Sequence, residues 1–323
     1  LNVDPKEYAQ EIKVVMEERR MRTDDNPQAK LFEQMNAVAF QAHPYRRPII
    51  GWMDDLEHMT ANDARDWYDR WYVPNNAYVV ISGDVDHQAV FALAEQYYGP
   101  LEGRALPPRK PQTEPPQVGQ RRVVVKAPAE LPMLVMGYKV PALRDVDQDR
   151  EPYALEMLAA ILDGHDAARF SKRLVREQKV AVAAGIDYDA TTRGPGMLYL
   201  HGSPSEGRTV AELEAALRAE IARVQKEGIS EQELKRAKAQ LLAAQVYKLD
   251  SVFGQAMEIG QFESANLSYK LLDRNLERLQ QVTATEVQAV ANKYFGDDAL
   301  TIGVLDPQPL DGKPRRPAVA TRH

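Results

Sequence analysis

An α+β protein of two duplicated lobes, each an antiparallel-rich sheet covered by helices, is the fold class that this sequence predicts. Three observations lead there. The first is an internal repeat: TANDARDWYDRWYVPNNAYVVI (60–81) lies over TATEVQAVANKYFGDDALTIGV (283–304) at an offset of 223 residues, without a gap. Thr60 meets Thr283, Asp63 meets Glu286, and Trp71-Tyr72 meets Tyr294-Phe295. The second is a pair of alternating segments, 180–188 and 197–203, joined across TTRGPG and reading as an antiparallel hairpin. The third is RALPPRKPQTEPPQVGQ (104–120), rich in proline and poor in apolar residues, which reads as a semi-extended linker. The resulting division is a first lobe at 1–103, the linker at 104–120, a second lobe at 121–306 and a tail at 307–323 expected to be disordered.

Each element follows from local chemistry. Asp4-Pro5 with Glu7 supplies an N-cap, a proline in the first turn and an acid near the helix start, so a helix opens at about residue 5. Asn26-Pro27 opens a second, running to about Phe40. HPYRRP (43–48) holds too much proline for a helix or central strand and reads as a loop; His43, beside a proline, reads as structural rather than as a metal ligand. Thr60 and Asp63 cap a third helix, 61–72, whose Trp67 and Trp71 are expected in the core. Pro74-Asn75-Asn76 turns the chain into an apolar strand, 77–82, followed by a helix at about 87–98. In the second lobe, strands are expected at 121–126 and 133–140, helices at 150–162 and 166–178, and then the hairpin. A helix over 210–227 ends at Gly228, and Ser230 with Glu233 caps another. Residues 269–296 read as helical and 300–305 as a last strand.

Composition sets the outer bounds. The 323 residues carry 41 basic and 47 acidic side chains, a net charge of −6. With no basic run and no interleaving of aromatic and basic residues, a nucleic-acid partner is not expected. No apolar stretch approaches the ~18 residues of a membrane span. Cysteine is absent, which removes disulfides, thiolate metal sites and thiol nucleophiles. That count suits an oxidising compartment and the cytoplasm equally.

The chemistry concentrates in EIKVVMEERRMRTDD (11–25). At 100° per residue, Lys13, Glu17 and Arg20 share a polar side, with Tyr8, Ile12, Val15 and Met16 opposite. Glu11 and Glu18, seven residues apart, stand almost one above the other between the two. A carboxylate at the edge of a buried face needs a partner, and a metal ion or an arginine would serve. The competing reading is a helix with a wide charged face on which Arg19 pairs with a glutamate.

The run that follows, DDNPQ (24–28), AFQAHPYRRPIIGWMDDL (39–56) and WYVPNNAYVVISGDVD (71–86), resembles the pitrilysin-like M16 zinc metallopeptidases, in particular bacterial M16B zinc protease subunits. That resemblance implies two M16-type lobes. It implies Glu18 as a zinc ligand, Glu11 as the carboxylate supporting it, and peptides or unfolded segments as substrates, bound by strand addition along a sheet edge. It also implies two further ligands from an H-x-x-E-H helix, and none of the six histidines shows that spacing. The first lobe is therefore expected to be N-terminally truncated; the repeat sizes the missing part at roughly a hundred residues, enough for two strands and that helix. The chain as given is expected to bind no zinc and to be inactive. At the repeat offset Glu18 falls on Gln240 or Leu241, so the second lobe is expected to hold no metal at the equivalent position.

The family further places an Arg/Tyr pair opposite the metal, to bind substrate and stabilise the oxyanion. In LVREQKVAVAAG, Arg176 stands at the arginine position, while the tyrosine position falls on Val182 or Ala183. The resemblance thus implies a metal-carrying subunit whose homologous partner supplies the pair, or a homodimer, in the bacterial periplasm or cytoplasm with a lean to the periplasm. An exposed helix arginine is the plainer reading of Arg176. The alternative for the whole chain is a non-catalytic M16-like scaffold subunit.

Overall fold

The computed structural model describes residues 3–310. The N-terminal part is helical: α1 (Pro5–Arg19), α2 (Pro27–Ala39), α3 (Met53–His58), α4 (Ala61–Trp71) and α5 (His87–Tyr98). After the proline-rich stretch come β1 (Arg121–Pro128), β2 (Met133–Val140), α6 (Glu151–Asp163), β3 (Ala181–Tyr188) and β4 (Gly196–Pro204). The chain then runs through α7 (Val210–Glu227), α8 (Glu231–Lys248), α9 (Val252–Ser264), α10 (Leu272–Gln280) and α11 (Ala284–Tyr294) to β5 (Leu300–Gln308).

The five strands form one mixed sheet in the order β1-β5-β2-β4-β3. β1 runs parallel to β5 and the other neighbours are antiparallel. The expected hairpin is present, with Gly185 opposite His201 and Tyr188 opposite Leu198. Alternation along central β2 divides the core. Leu134, Met136 and Tyr138 join residues of α6, α7 and α11 in the main cluster, whereas Met133 and Val135 meet Leu31 and Met35 of α2 on the other face. Two glycines let α2 lie close to the sheet. A Cβ on Gly137 would stand 2.6 Å from Met35 Cε, and one on Gly303 would stand 3.0 Å from Leu31 Cδ1. Arg121 fixes the end of that helix by donating from Nη1 to the carbonyls of Val38 (2.7 Å) and Ala39 (2.9 Å).

The repeat is visible in the structure up to its last element. Thr60 with Asp63 and Thr283 with Glu286 both form reciprocal capping boxes, and α4 and α11 are each 11 residues long. Each is followed by a three-residue 3₁₀ turn, Pro74–Asn76 and Asp297–Ala299. There the copies part. Residues 300–308 enter the sheet as β5, whereas 77–82, expected as a strand, pair with no strand among the described residues. An extended segment without a neighbour has no ladder to join.

Three other expectations are corrected. Trp67 and Trp71 are not core residues: Trp67 is exposed and Trp71 half-buried, with the Arg109 guanidinium 5.2 Å from the centre of its ring, and with Tyr72 and Asn76 these residues line an open groove of about 420 Å³. The last strand runs on to Gln308, so the first residues placed in the tail are sheet; the rest of that segment, 311–323, lies outside the described residues. The helix expected over 166–178 is π-helical over Phe170–Glu177. The proline-rich stretch is extended but tied down. Glu114 accepts the backbone N–H groups of Gln41 (2.8 Å), Ala42 (2.8 Å) and His43 (2.9 Å) and the ammonium of Lys139 (2.6 Å). Burial raises its pKa, and these donors overcome that effect and hold it down at about 2.

Candidate functional site

Helix α1 begins as its sequence requires. Asp4 accepts the backbone N–H groups of Lys6 (2.8 Å) and Glu7 (3.1 Å), with proline in the first turn. At its far end the helix widens into a π-helical turn, Arg20–Asp24. The one side chain that α1 buries is Arg19. Its Nη1 donates to Glu33 Oε2 (2.8 Å) and to the Gly51 carbonyl (2.8 Å), and its Nη2 donates to Glu33 Oε1 (3.2 Å). Asp24 lies 3.5 Å away, and the guanidinium sits 5.9 Å from the centre of the Trp52 ring. The hydrogen bonding to Glu33 is the largest of several influences, and together they raise the arginine pKa. Arg19 thus fixes the rotation of α1 against α2.

Glu18 is the next residue, 100° around the helix from Arg19. Its side chain is 38% exposed and forms an ion pair with Arg22 at 3.1 Å. Glu11, seven residues earlier, is exposed, and Glu17 pairs with Arg20. The helix therefore displays Glu11 and Glu18 along one open stripe while Arg19 faces inward.

A structural or catalytic zinc takes at least three protein ligands in a tetrahedral shell. Among the described residues no group of three or more His, Asp or Glu side chains is placed to hold a metal ion. The histidines have other company. His43 accepts the Tyr45 N–H (3.3 Å), His201 pairs with Asp187 (3.1 Å), His58 contacts the Asp54 carbonyl (2.7 Å) and His165 accepts the Ala167 N–H (3.0 Å). The described residues by themselves do not fit a zinc ion; Glu18 and Glu11 present two carboxylates on the open side of α1.

Arg176 lies in the last turn of Phe170–Glu177, exposed and without a hydrogen bond or ion pair among the described residues. The register of β3 against β4 shifts between Ala181 and Ala183, so Val182 stands out at a bulge, half exposed. No aromatic hydroxyl occupies either of these positions.

The family model for the peptidase M16 inactive domain matches residues 58–241. The chain is 30% identical over 311 residues to the zinc protease PqqE of Helicobacter pylori, covering 95% of this chain and 68% of that protein. This chain belongs to the M16 peptidase family. A relative named an uncharacterized zinc protease, from Mycobacterium leprae, is 27% identical over 291 residues; this chain spans 63% of its length. A crystal structure of a protease from H. pylori superposes with a TM-score of 0.88 at 27% identity, covering 95% of this chain and 74% of that one. The peptidase M16 inactive domain from Pseudomonas fluorescens shares the fold, with a TM-score of 0.77 at 18% identity, covering 95% of this chain and 73% of that one. Glu11, Glu18 and Arg19 all lie outside the matched span 58–241. No helix among the described residues is long and apolar enough to cross a membrane.

Proposed function

We propose that this chain is the metal-carrying subunit of an M16B-type zinc endopeptidase, with Glu18 as one zinc ligand and Glu11 as the carboxylate that orients it. The observation that carries this reading is the Glu11/Glu18 stripe, held outward by the buried Arg19, in a chain that belongs to the M16 family and resembles proteins named zinc proteases. Zinc in such a site would supply an activated water and a Lewis acid. One ligand does not make that centre, so the described residues alone neither retain zinc nor hydrolyse peptides. Glu18 would present its carboxylate once released from Arg22, and Glu11 would hydrogen bond to the shell. Peptides or unfolded segments are the substrates of this reading, added as a strand to a sheet edge. Arg176, free of partners among the described residues, would hold substrate, and a homologous partner subunit would supply the Arg/Tyr pair because Val182 and Ala183 cannot. The periplasm is the preferred compartment.

A second reading is supported by the match of 58–241 to the inactive domain: a non-catalytic scaffold subunit. Zinc content of the full-length natural protein separates the two. Wild type and Glu17→Gln are expected to carry zinc and Glu18→Gln to lose it. Zinc retained by Glu18→Gln removes the ligand assignment, and a zinc-free wild type leaves the scaffold.

A further inference from the structure

The π-helical segment Phe170–Glu177 is anchored along its inner side by two arginines. Arg169, 8% exposed, donates from Nε to Glu233 Oε1 (2.7 Å) and from Nη2 to Glu233 Oε2 (3.0 Å) and the Gly228 carbonyl (3.2 Å). Arg173 donates from Nη1 to Glu220 Oε2 (3.5 Å), a carboxylate that is 1% exposed and lies 3.3 Å from Arg223. Phe170 and Leu174 are buried beside them. Two guanidinium groups and two apolar side chains therefore hold the segment on α7, on the first turn of α8 and on the core.

The outer side is cationic. Lys172 and Arg176, four residues apart, and Lys179 beyond them are all exposed. Lys172 lies 3.9 Å from Glu177, while Arg176 and Lys179 have no hydrogen bond or ion pair among the described residues. Lys179 carries a second signal. It closes the segment at φ 51°, with the Val180 N–H donating to the Leu174 carbonyl (2.9 Å), a helix end that glycine adopts most easily. A lysine held there accepts backbone strain that glycine would not, and such strain clusters where side chains act on a ligand.

We infer that Lys172, Arg176 and Lys179 form a binding face for the carboxylate side chains of an acidic peptide segment, with Arg169 and Arg173 as positioning residues. This rests on the reading of Arg176 as a substrate contact. Arg176 supplies a planar fork that matches a carboxylate in two parallel bonds, and the lysines flank it as point charges. Anchoring the segment in advance reduces the ordering that binding would otherwise require. The chain's net charge of −6 draws basic peptides by general attraction, so a preference for acidic ones is the signature of this local face.

The test titrates short peptides of one sequence, carrying glutamate, glutamine or lysine at two central positions, into the full-length natural protein with its metal chelated. The glutamate peptide is expected to bind about tenfold more tightly than the glutamine peptide, as one charge-assisted bond would give, and the advantage to shrink as salt rises. Arg176→Gln is expected to abolish that preference. Lys179→Gly is expected to weaken it while the melting temperature holds or rises, the reverse of what a lysine kept only to close the helix would show. Arg169→Lys keeps the charge but loses the fork, and Arg173→Gln leaves Glu220 its contact with Arg223; both are expected to weaken the preference with Arg176 in place. Equal binding of the glutamate and glutamine peptides, tighter binding of the lysine peptide, or a preference that survives Arg176→Gln overturns the binding face. A preference untouched by both anchor variants overturns the positioning role. Zinc takes no part in these titrations, so a failure of the zinc assignment leaves their outcome unchanged.

Discussion

Replacing Arg19 by glutamine tests the lock that orients the candidate site. The Arg19 and Glu33 side chains are 6% and 7% exposed, so their pairing is little screened by water. Arg19→Gln removes two charge-assisted bonds to Glu33 and one to the Gly51 carbonyl, and leaves a buried carboxylate without its partner. Breaking a buried pair by removing one member costs about 3–5 kcal/mol. Replacing both, as Arg19→Met with Glu33→Leu, leaves no orphan charge and is expected to recover most of that loss. The assay is urea unfolding followed by tryptophan fluorescence, to which Trp52 beside the guanidinium contributes, for wild type, Arg19→Gln, Arg19→Met, Glu33→Leu and the double variant. The stripe of Glu11 and Glu18 should lose its fixed orientation in the single variant. A cost below about 1 kcal/mol for Arg19→Gln, with costs that simply add in the double variant, would refute the reasoning.

Two other expectations concern the sheet and its strap. Because the Glu114 pKa is depressed to about 2, its contribution to stability is complete above its ordinary value of 4.5 and is lost as pH falls from there toward 2; acid titration of the melting temperature should show that limb, and Glu114→Gln should flatten it. Gly137→Ala crowds the flexible Cε atoms of Met35 and Met197, 2.6 and 2.7 Å from the new Cβ, and is expected to cost about 1 kcal/mol by over-packing; chemical denaturation should show that cost shrinking in a Met35→Ala background.

What could be read in the sequence was whatever local chemistry decides. Capping boxes at Thr60, Ser230 and Thr283, the hairpin across TTRGPG and strand 133–140 all depend on neighbours within a few positions, and all are present. Long-range packing was hidden. Trp67 and Trp71 have the character of core residues, but burial needs a covering layer, which the described residues do not bring to α4. Helix α2 reads as part of the first half, yet its Leu31 and Met35 complete the second half's sheet, made possible by glycines at 137 and 303 that have meaning only once β2 and β5 are paired. Glu114 sits in a proline-rich stretch with no local pattern; its role appears only when the backbone of 41–43 and Lys139 converge on it. At the site, the spacing of Glu11 and Glu18 was legible, and so was an arginine–glutamate pairing for Arg19, but not that the partner is Glu33 on α2. One signal for its burial was available: at 100° per residue Arg19 falls in the middle of the stripe of Tyr8, Ile12 and Val15.

The most direct test of the metal assignment is to measure intact mass and bound zinc on one purified sample, for this chain and for the full-length natural protein. A sample at 36.3 kDa is expected to carry no zinc, and the full-length protein about one zinc per chain, lost on Glu18→Gln. Stoichiometric zinc in the 36.3 kDa sample, or none in the full-length protein, would contradict the account.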